Sequence, residues 1–468
     1  MDFKSRWLSE SPAFLARDSQ RTTASYMSPT VDRVETDPDL PRSADVVVIG
    51  GGIIGCAAAY YLAGQGMRVA LVEKGRVAAE QSSRNWGWCR TQGRDLAELP
   101  LMLESMRLWD GLADELALDV GFRRTGVLFV TNDQSEFTRW DRWRQAAAPY
   151  GAEAQLIPSD AVARLIPEAV ERWLGGLYTA SDGCADPVKA APAFAAAARR
   201  CGATVHEHCA ARGLDTQSGR IRAVITEQGT IRTATVLCAC GVWSSLFCRR
   251  HGIPLPQLSV RASVQRTMPA AHRMDHSVAT PGVCIRRHDD GGYIVAMAGR
   301  GTFDITPDAF RYLLPFWPTF RARGGKLSIR FGRPFFSALR WGRRWPLDRP
   351  SPFELDRTCA PDPDQLLLRE ARADLANKFP PLAGLECADA WGAVIDVTPD
   401  ALPVISSVPV LKGFHLATGF SGHGFGIAPG AARLVADVIT GETPIVDPHP
   451  FRYSRLVDGT RLTPDNHI

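Results

Sequence analysis

The sequence predicts an α/β protein organised on a parallel sheet, joined to a second domain of α+β character. Three observations carry that reading. A length of 468 residues exceeds what one typical core holds, so two domains are expected. The run Val46 to Ile49 is short, apolar and β-branched, as a strand buried on both faces requires, and a glycine-rich turn and a helical pattern follow it. Farther on, Val283 to Arg287, Asp289-Asp-Gly-Gly and Tyr293 to Ala296 read as an antiparallel hairpin of a different sheet.

The first of these segments runs from Asp45 to Glu73 and contains Gly50, Gly52 and Gly55 in the spacing Gly-x-Gly-x-x-Gly. Gly50 permits the tight turn, Gly52 lets a pyrophosphate approach the backbone, and Gly55 lets the helix from Ile53 to about Ala63 pack on the strand. The helix N-terminus offers N–H groups and the positive end of its dipole to phosphates. A second apolar run, Val69 to Val72, ends in Glu73, placed 23 residues after Gly50 to accept hydrogen bonds from both hydroxyls of an adenosine ribose. This is a Rossmann-type dinucleotide site, and an acid at the ribose argues against a 2′-phosphate.

Composition narrows the class. The chain is 45% hydrophobic and 22% charged, ordinary for a globular protein, and its net charge of +4 (54 basic against 50 acidic residues) is too small to imply nucleic acid. Its 11 cysteines are an odd number without a Cys-x-x-Cys pair, so neither a disulfide framework nor a metal site is expected. Cys238 and Cys240 read as small core residues. Residues 1–43 read as an irregular polar arm with Arg6, Arg17, Arg21 and several prolines, and with no apolar core of a signal peptide. A reducing, cytoplasmic setting is the expectation.

After Glu73 come Lys74 and then Ser82-Ser83-Arg84-Asn85, the hydroxyls, guanidinium and amide of a loop that covers a cofactor. Trp86 and Trp88 read either as packing or as substrate contacts. Leu99 to Leu118 is helical, Gly126 to Val130 a strand, and Asp133 to Ala148 and Asp160 to Ile166 helices. An alanine-rich helix spans Pro187 to Cys201, with proline at its start and Gly202 at its end. Thr204 to His206, Ile221 to Glu227 and Thr235 to Ala239 read as strands, the last leading into Gly241-Val-Trp243-Ser. Leu258 to Arg266 is a further strand. Residues 317–349 hold eight arginines among Trp317, Trp341 and Trp345, either a solvated basic face or a docking surface for a partner subunit or an anionic membrane. Toward the end, Thr398-Pro-Asp400 is followed by a strand, Gly413 to Thr418, and by Gly419-Phe-Ser-Gly422-His423-Gly424-Phe425. That turn, before a helix from about Pro429 to Ile439, suits the negative charge of a reduced flavin. His423 reads as an acid/base group or as a positional hydrogen-bonding residue.

Four motifs together, Gly50–Glu73, Ser83-Arg-Asn-Trp-Gly, Gly241-Val-Trp-Ser, and Thr398-Pro-Asp with Gly419 to Phe425, resemble the FAD-dependent oxidoreductases related to D-amino acid oxidase, glycine oxidase and sarcosine oxidase. The resemblance covers about residues 44 to 445 and implies an FAD-binding domain (44–115, 165–252 and 390–447) interleaved with an antiparallel-sheet substrate domain (116–164 and 253–389), followed by a tail, 448–468. It implies cofactor contacts at Gly50, Gly52, Ile53, Ile54, Gly55, Glu73 and Lys74, at Ser82, Ser83, Arg84 and Asn85, and at Ala211, Gly241 and Trp243. The pyrimidine edge of the flavin would face Gly422, His423, Gly424 and Phe425. No residue is assigned as an obligatory acid–base catalyst, because in this family hydride passes from a C–H beside the amine nitrogen to flavin N5 and the resulting imine is hydrolysed.

The departures bear on the substrate. Glycine oxidase has a carboxylate-binding arginine where Ile395 stands; monomeric sarcosine oxidase has a flavin-linking cysteine where Ala393 stands and a carboxylate-holding lysine where Gly426 stands. Non-covalent FAD is therefore expected. Either Arg90, Arg261 or Arg286 takes the carboxylate, or the substrate is an amine without one, held by Trp86 and Trp88. The leading expectation is oxidation of a secondary amine or N-substituted amino acid with O2 as acceptor. The alternatives are a quinone-linked dehydrogenase of amino or hydroxy acids that touches a membrane through 317–349, and an FAD-carrying subunit of a larger oxidase.

Overall fold

The structure, a computed structural model, describes residues 28–271, 274–341, 344–462 and 464. Most of the expected arm, including Arg6, Arg17 and Arg21, lies outside these residues, as does Arg343. Residues 28–43 run beside the parallel sheet, where Asp37 takes the amide of Val205 at 2.8 Å and Arg199 at 3.2 Å.

Among the described residues one sheet has six strands, in the order Val404–Ser407, Phe414–Thr418, Thr235–Cys238, Val46–Ile49 (β1), Val69–Val72 (β2) and Thr204–His206. All neighbours are parallel except the pair Val404–Ser407 and Phe414–Thr418. The alternation of β1 explains its unbroken apolar run. Val46 and Val48 face a core shared with the helices Ile53–Gly64 (α1), Pro187–Arg200 and Ala428–Thr440, while Val47 and Ile49 face a core under a small antiparallel sheet, Ala211–Gln217, Arg220–Thr226 and Thr230–Arg232. From β1 the chain builds outward on one side to β2 and Thr204–His206, then crosses to Thr235–Cys238 on the other side, so the crevice beyond the C-terminal end of β1 is a topological switch point.

The second sheet has ten strands and is mostly antiparallel. Its strand Leu258–Thr267 pairs with Cys387–Val397 almost end to end, Leu258 opposite Val397 and Arg266 opposite Asp389. This seam then feeds the chain, through Thr398 to Asp400, back into the parallel sheet. Strands Gly301–Asp304, Leu327–Arg330 and Cys387–Val397 have no counterpart in the sequence reading. Gly175–Thr179 pairs with Val127–Thr131 and Gln155–Pro158 here, although the sequence boundaries put 165–252 with the parallel sheet; 387–397 likewise crosses the boundary drawn at 390. Local pattern fixes a strand's period, not its distant partner.

Gly55 sits where α1 crosses the turn, and a Cβ there would stand 1.9 Å from the Gly50 carbonyl oxygen. Gly55→Ala should destabilise the protein by about 1–3 kcal/mol, the usual scale for overpacking. Guanidinium unfolding checks it; an unchanged midpoint would contradict the close packing.

Candidate functional site

The turn after β1 is narrow because glycine alone fits it. Gly50 has φ +112°, and a Cβ would lie 2.4 Å from the Ala239 carbonyl oxygen. Glu73, at the end of β2, is half-buried and accepts from the amides of Gly51 at 2.6 Å and Gly75 at 2.7 Å. Burial raises its pKa against the lowering pull of Lys74 and these two donors. The Ile53 amide donates to Ser82 Oγ at 2.9 Å, which pins the following loop to the start of α1.

In that loop the expected cofactor-lining residues divide. Ser82, Arg84 and Asn85 line a cavity of 1070 Å³; Ser83 does not, since the helical turn Gln81–Arg84 carries its side chain inward, where it donates to the Glu80 carbonyl at 3.4 Å. Arg84 spends its guanidinium on the carbonyls of Ala79 and Gly392 and on Ser28 Oγ, and Asn85 spends its amide on the carbonyls of Gln81 and Ser82. Both hold the loop in place. Lys74 is likewise engaged, by Glu80 at 2.7 Å, the Asp356 carbonyl and the face of Trp243 at 4.4 Å. Glu80 also accepts from Trp243 Nε1 at 3.0 Å and the Cys359 amide at 2.8 Å. Gly50, Gly52, Ile53, Ile54, Glu73, Ala211, Gly241 and Trp243 all line the same cavity.

The cavity extends from there to Gly422, His423, Gly424 and Phe425. Asp396, on the seam strand, holds that second turn by accepting from the Gly419 amide at 2.7 Å and from Gln257 Nε2 at 3.0 Å. Arg455 and Asp400, both buried, form an ion pair at 2.8 Å beside it. His423 Nδ1 stands 3.3 Å from Glu98 Oε2, off the line of a hydrogen bond. Burial, with Arg94 adding repulsion, pushes the His423 pKa down to about 4, so its ring is neutral at pH 7. Burial would raise the Glu98 carboxyl, but His423, Arg94 and Arg90 outweigh it and hold Glu98 below the ordinary value.

Trp86, Trp88 and Arg90 line the cavity beside this cluster, together with Arg94. Arg90 donates to the Gln92 carbonyl and lies 5.3 Å over the Phe129 ring; burial pushes its pKa down to about 9. The other two arginine candidates are elsewhere. Leu258, Val260, Ala262 and Val264 face the cavity, so Arg261, out of phase by one residue, projects from the opposite face and pairs with Asp304 at 3.3 Å. Arg286 lies behind the tryptophan pair, close enough to Gly87 that a Cβ there would meet its Nη2 at 3.2 Å. Sequence reasoning missed Arg94, Glu98 and Asp396. Asp396 did carry a signal, a lone acid inside the apolar run Trp391–Val397.

A family model described as DAO, FAD dependent oxidoreductase, matches residues 45–438. The chain is 25% identical to mitochondrial sarcosine dehydrogenase of Homo sapiens over 93% of its own length and 44% of that protein's, so it spans less than half of that relative. It is 25% identical to the sarcosine oxidase subunit beta of Arthrobacter sp, covering 90% of this chain and 93% of that one. Among solved structures, L-amino acid deaminase from Proteus myxofaciens is similar with a TM-score of 0.88 and 30% identity, covering 92% of this chain and 97% of that one.

The residues fit FAD. The N-terminus of α1 carries no acidic residue in its first turn and no side-chain cap at Gly52, Glu73 presents a carboxylate next to it, and the cavity continues without a break to the turn at His423. Glu73→Gln should weaken FAD retention by roughly tenfold or more, from loss of a charge-assisted hydrogen bond; the ratio of flavin to protein absorbance after dialysis measures it, and unchanged cofactor content would remove Glu73 from the ribose. Asp396→Ala strands the buried Gly419 amide, while Gln257 keeps the Gly241 carbonyl and Thr418, and should lower stability by about 1–3 kcal/mol. Limited proteolysis should then cut between residues 419 and 426, and resistance equal to that of the parent would contradict the role.

Proposed function

The chain belongs to the FAD dependent oxidoreductases, and from that premise we propose that it oxidises the C–N bond of an amino acid or N-alkylated amino acid to an imine that water hydrolyses. The observation that carries this is the continuity of the cavity, which joins the dinucleotide turn at Gly50 and Glu73 to the wall formed by His423, Arg90 and Arg94. Sarcosine, glycine and L-amino acids appear in the names of similar proteins, which supports a small amino acid as substrate class.

Bound FAD would supply the hydride acceptor for the C–H beside the nitrogen. Gly50, Gly52 and the start of α1 would take the pyrophosphate and Glu73 the ribose. The turn Gly422 to Phe425 would face the pyrimidine edge, with neutral His423 available as a hydrogen-bonding group. Arg90 would take a carboxylate, leaving the sheet wall of Val260, Ala262 and Val264 to exclude water from the reacting carbon. Ala393 is fully buried in the seam and has no group with which to link a flavin, in keeping with non-covalent FAD.

A second reading of the acceptor has its own support. Residues 307–341 line the cavity with Phe316, Phe320 and Leu327, while Leu314 is 85% exposed and Trp317, Phe331, Phe336 and Leu339 are half-exposed or more, among Arg321, Arg333 and Arg340. An apolar, basic surface at the mouth of a redox cavity favours contact with an anionic membrane and a quinone acceptor over O2. Among the described residues no helix is long and apolar enough to cross a membrane. A panel of amino acids added without oxygen should bleach the flavin; if none does, the amino acid assignment fails. Admitting air then separates the acceptors. Stoichiometric hydrogen peroxide supports O2, whereas a reduced flavin that persists in air, reoxidises with a soluble quinone and sediments with anionic vesicles supports the membrane reading.

A further inference from the structure

The reaction class leaves the size and charge of the substrate open, and the cavity wall restricts both. We propose that the substrate is an amino acid with a large apolar side chain, preferably aromatic, whose carboxylate is taken by Arg90 and Arg94. The inference rests on the reading above that the same cavity holds FAD.

Part of the wall is a chain of four aromatic rings that starts where Trp86 packs against Val264 and Trp391 of the seam. Trp86 and Trp88 meet edge to face at 5.5 Å, Trp88 and Phe129 lie 6.2 Å apart, and Phe129 and Trp140 lie 6.2 Å apart. All four line the cavity, as do Met297, Phe316 and Phe320. Phe129 and Trp140 are buried in a core of their own, so it is the half-buried Trp86 and Trp88 that a glycine-sized substrate would leave against water and that a phenyl or long aliphatic side chain would cover. The guanidinium of Arg90 is stacked on Phe129, so the anchor for an anion sits within the ring wall.

The supply of donors selects against an amine that lacks a carboxylate. Among the described residues neither Arg90 nor Arg94 has a carboxylate oxygen within 4.0 Å, and Arg94 Nη1 is buried without a hydrogen-bond partner. Asp182, whose charge acts on Arg90, has its oxygens engaged by the amides of Thr91 and Gln92 and by the Thr91 hydroxyl. Glu98 is fully buried and shares the field of both arginines with His423, whose ring is neutral. Asp182 and Glu98 balance the two guanidinium charges, so what distinguishes this wall is its donors: the unpartnered Arg94 Nη1 and the planar fork of Arg90 can satisfy a carboxylate and offer nothing to a free ammonium ion.

Three ligands separate the features in the flavin-loaded protein, read by titration calorimetry: 3-phenylpropanoate (ring and carboxylate), propanoate (carboxylate alone) and 2-phenylethylammonium (ring and cation). The expected result is that 3-phenylpropanoate binds at least about tenfold more tightly than propanoate, the effect of covering one ring, and that 2-phenylethylammonium binds more weakly than either. Arg90→Met should cost 3-phenylpropanoate at least about tenfold while the flavin bands remain. Arg90→Lys, which keeps the charge and loses the planar fork, should be intermediate and serves if the methionine variant does not fold. Equal affinity for propanoate and 3-phenylpropanoate, tighter binding of the ammonium, or an unaffected Arg90→Met protein overturns the inference while the flavin reading stands. A protein that shows no flavin bands after reconstitution overturns the cofactor reading and this inference with it.

Discussion

The site depends on one strand pairing. Leu258–Thr267 and Cys387–Val397 run antiparallel for nearly their whole length, and the cavity is walled by one face of that seam. The cofactor loop is stitched to it from the other direction: Trp391 Nε1 donates to the Arg84 carbonyl at 3.0 Å, and Arg84 returns a bond to the Gly392 carbonyl at 3.1 Å. Gly392 itself has no room for a side chain, since a Cβ would lie 2.2 Å from the Pro361 carbonyl oxygen. At its end the seam delivers Asp396 to the amide of Gly419. A register slip of one residue would turn Val260, Ala262 and Val264 away from the cavity and bring Arg261 into it.

Charge is distributed so that the two ends of the cavity differ. Near the dinucleotide turn, Glu80 gathers Lys74, Trp243 and the Cys359 amide, which leaves Glu73 as the acid facing a ribose-sized space. At the other end Arg90 and Arg94 meet two buried acids, Asp182 and Glu98. Burial lowers the pKa values of both arginines and of His423, whereas on Glu98 it is outweighed by the positive charge around it. Such a field is set before any ligand arrives and costs no reorganisation when one does.

The segment 307–341 is bound to the body by few buried side chains, yet one of its faces completes the cavity. Tyr312 and Phe316 anchor it inward, and Thr319 donates to the Pro399 carbonyl beside the Thr398–Asp400 loop. The opposite face carries the largest exposed apolar side chains of the molecule's described residues in this region, interspersed with arginine. Solvent alone does not account for that pattern, because isolated exposed leucines are ordinary but a contiguous aromatic and aliphatic patch is not.

By itself the sequence determined the unit from β1 to Glu73, because every part of it is local: a run buried on both faces, glycines required by a positive φ or a close approach, a helix start, and an acid at the end of the next strand. The glycine turn ending at Phe425 was legible for the same reason. Tertiary structure decided the rest. Arg90, Arg261 and Arg286 are equal in sequence terms, and only strand phase separates the one that lines the cavity from one that faces away and one that lies behind a tryptophan layer. Arg94, Glu98 and Asp396 acquire their roles from burial and from partners that arrive from distant parts of the chain, and the long strand carrying Asp396 finds its place through a pairing partner more than a hundred residues away. Composition and period describe what each segment wants to bury; which segments meet, and therefore which charges share a cavity, is settled only when the sheets close.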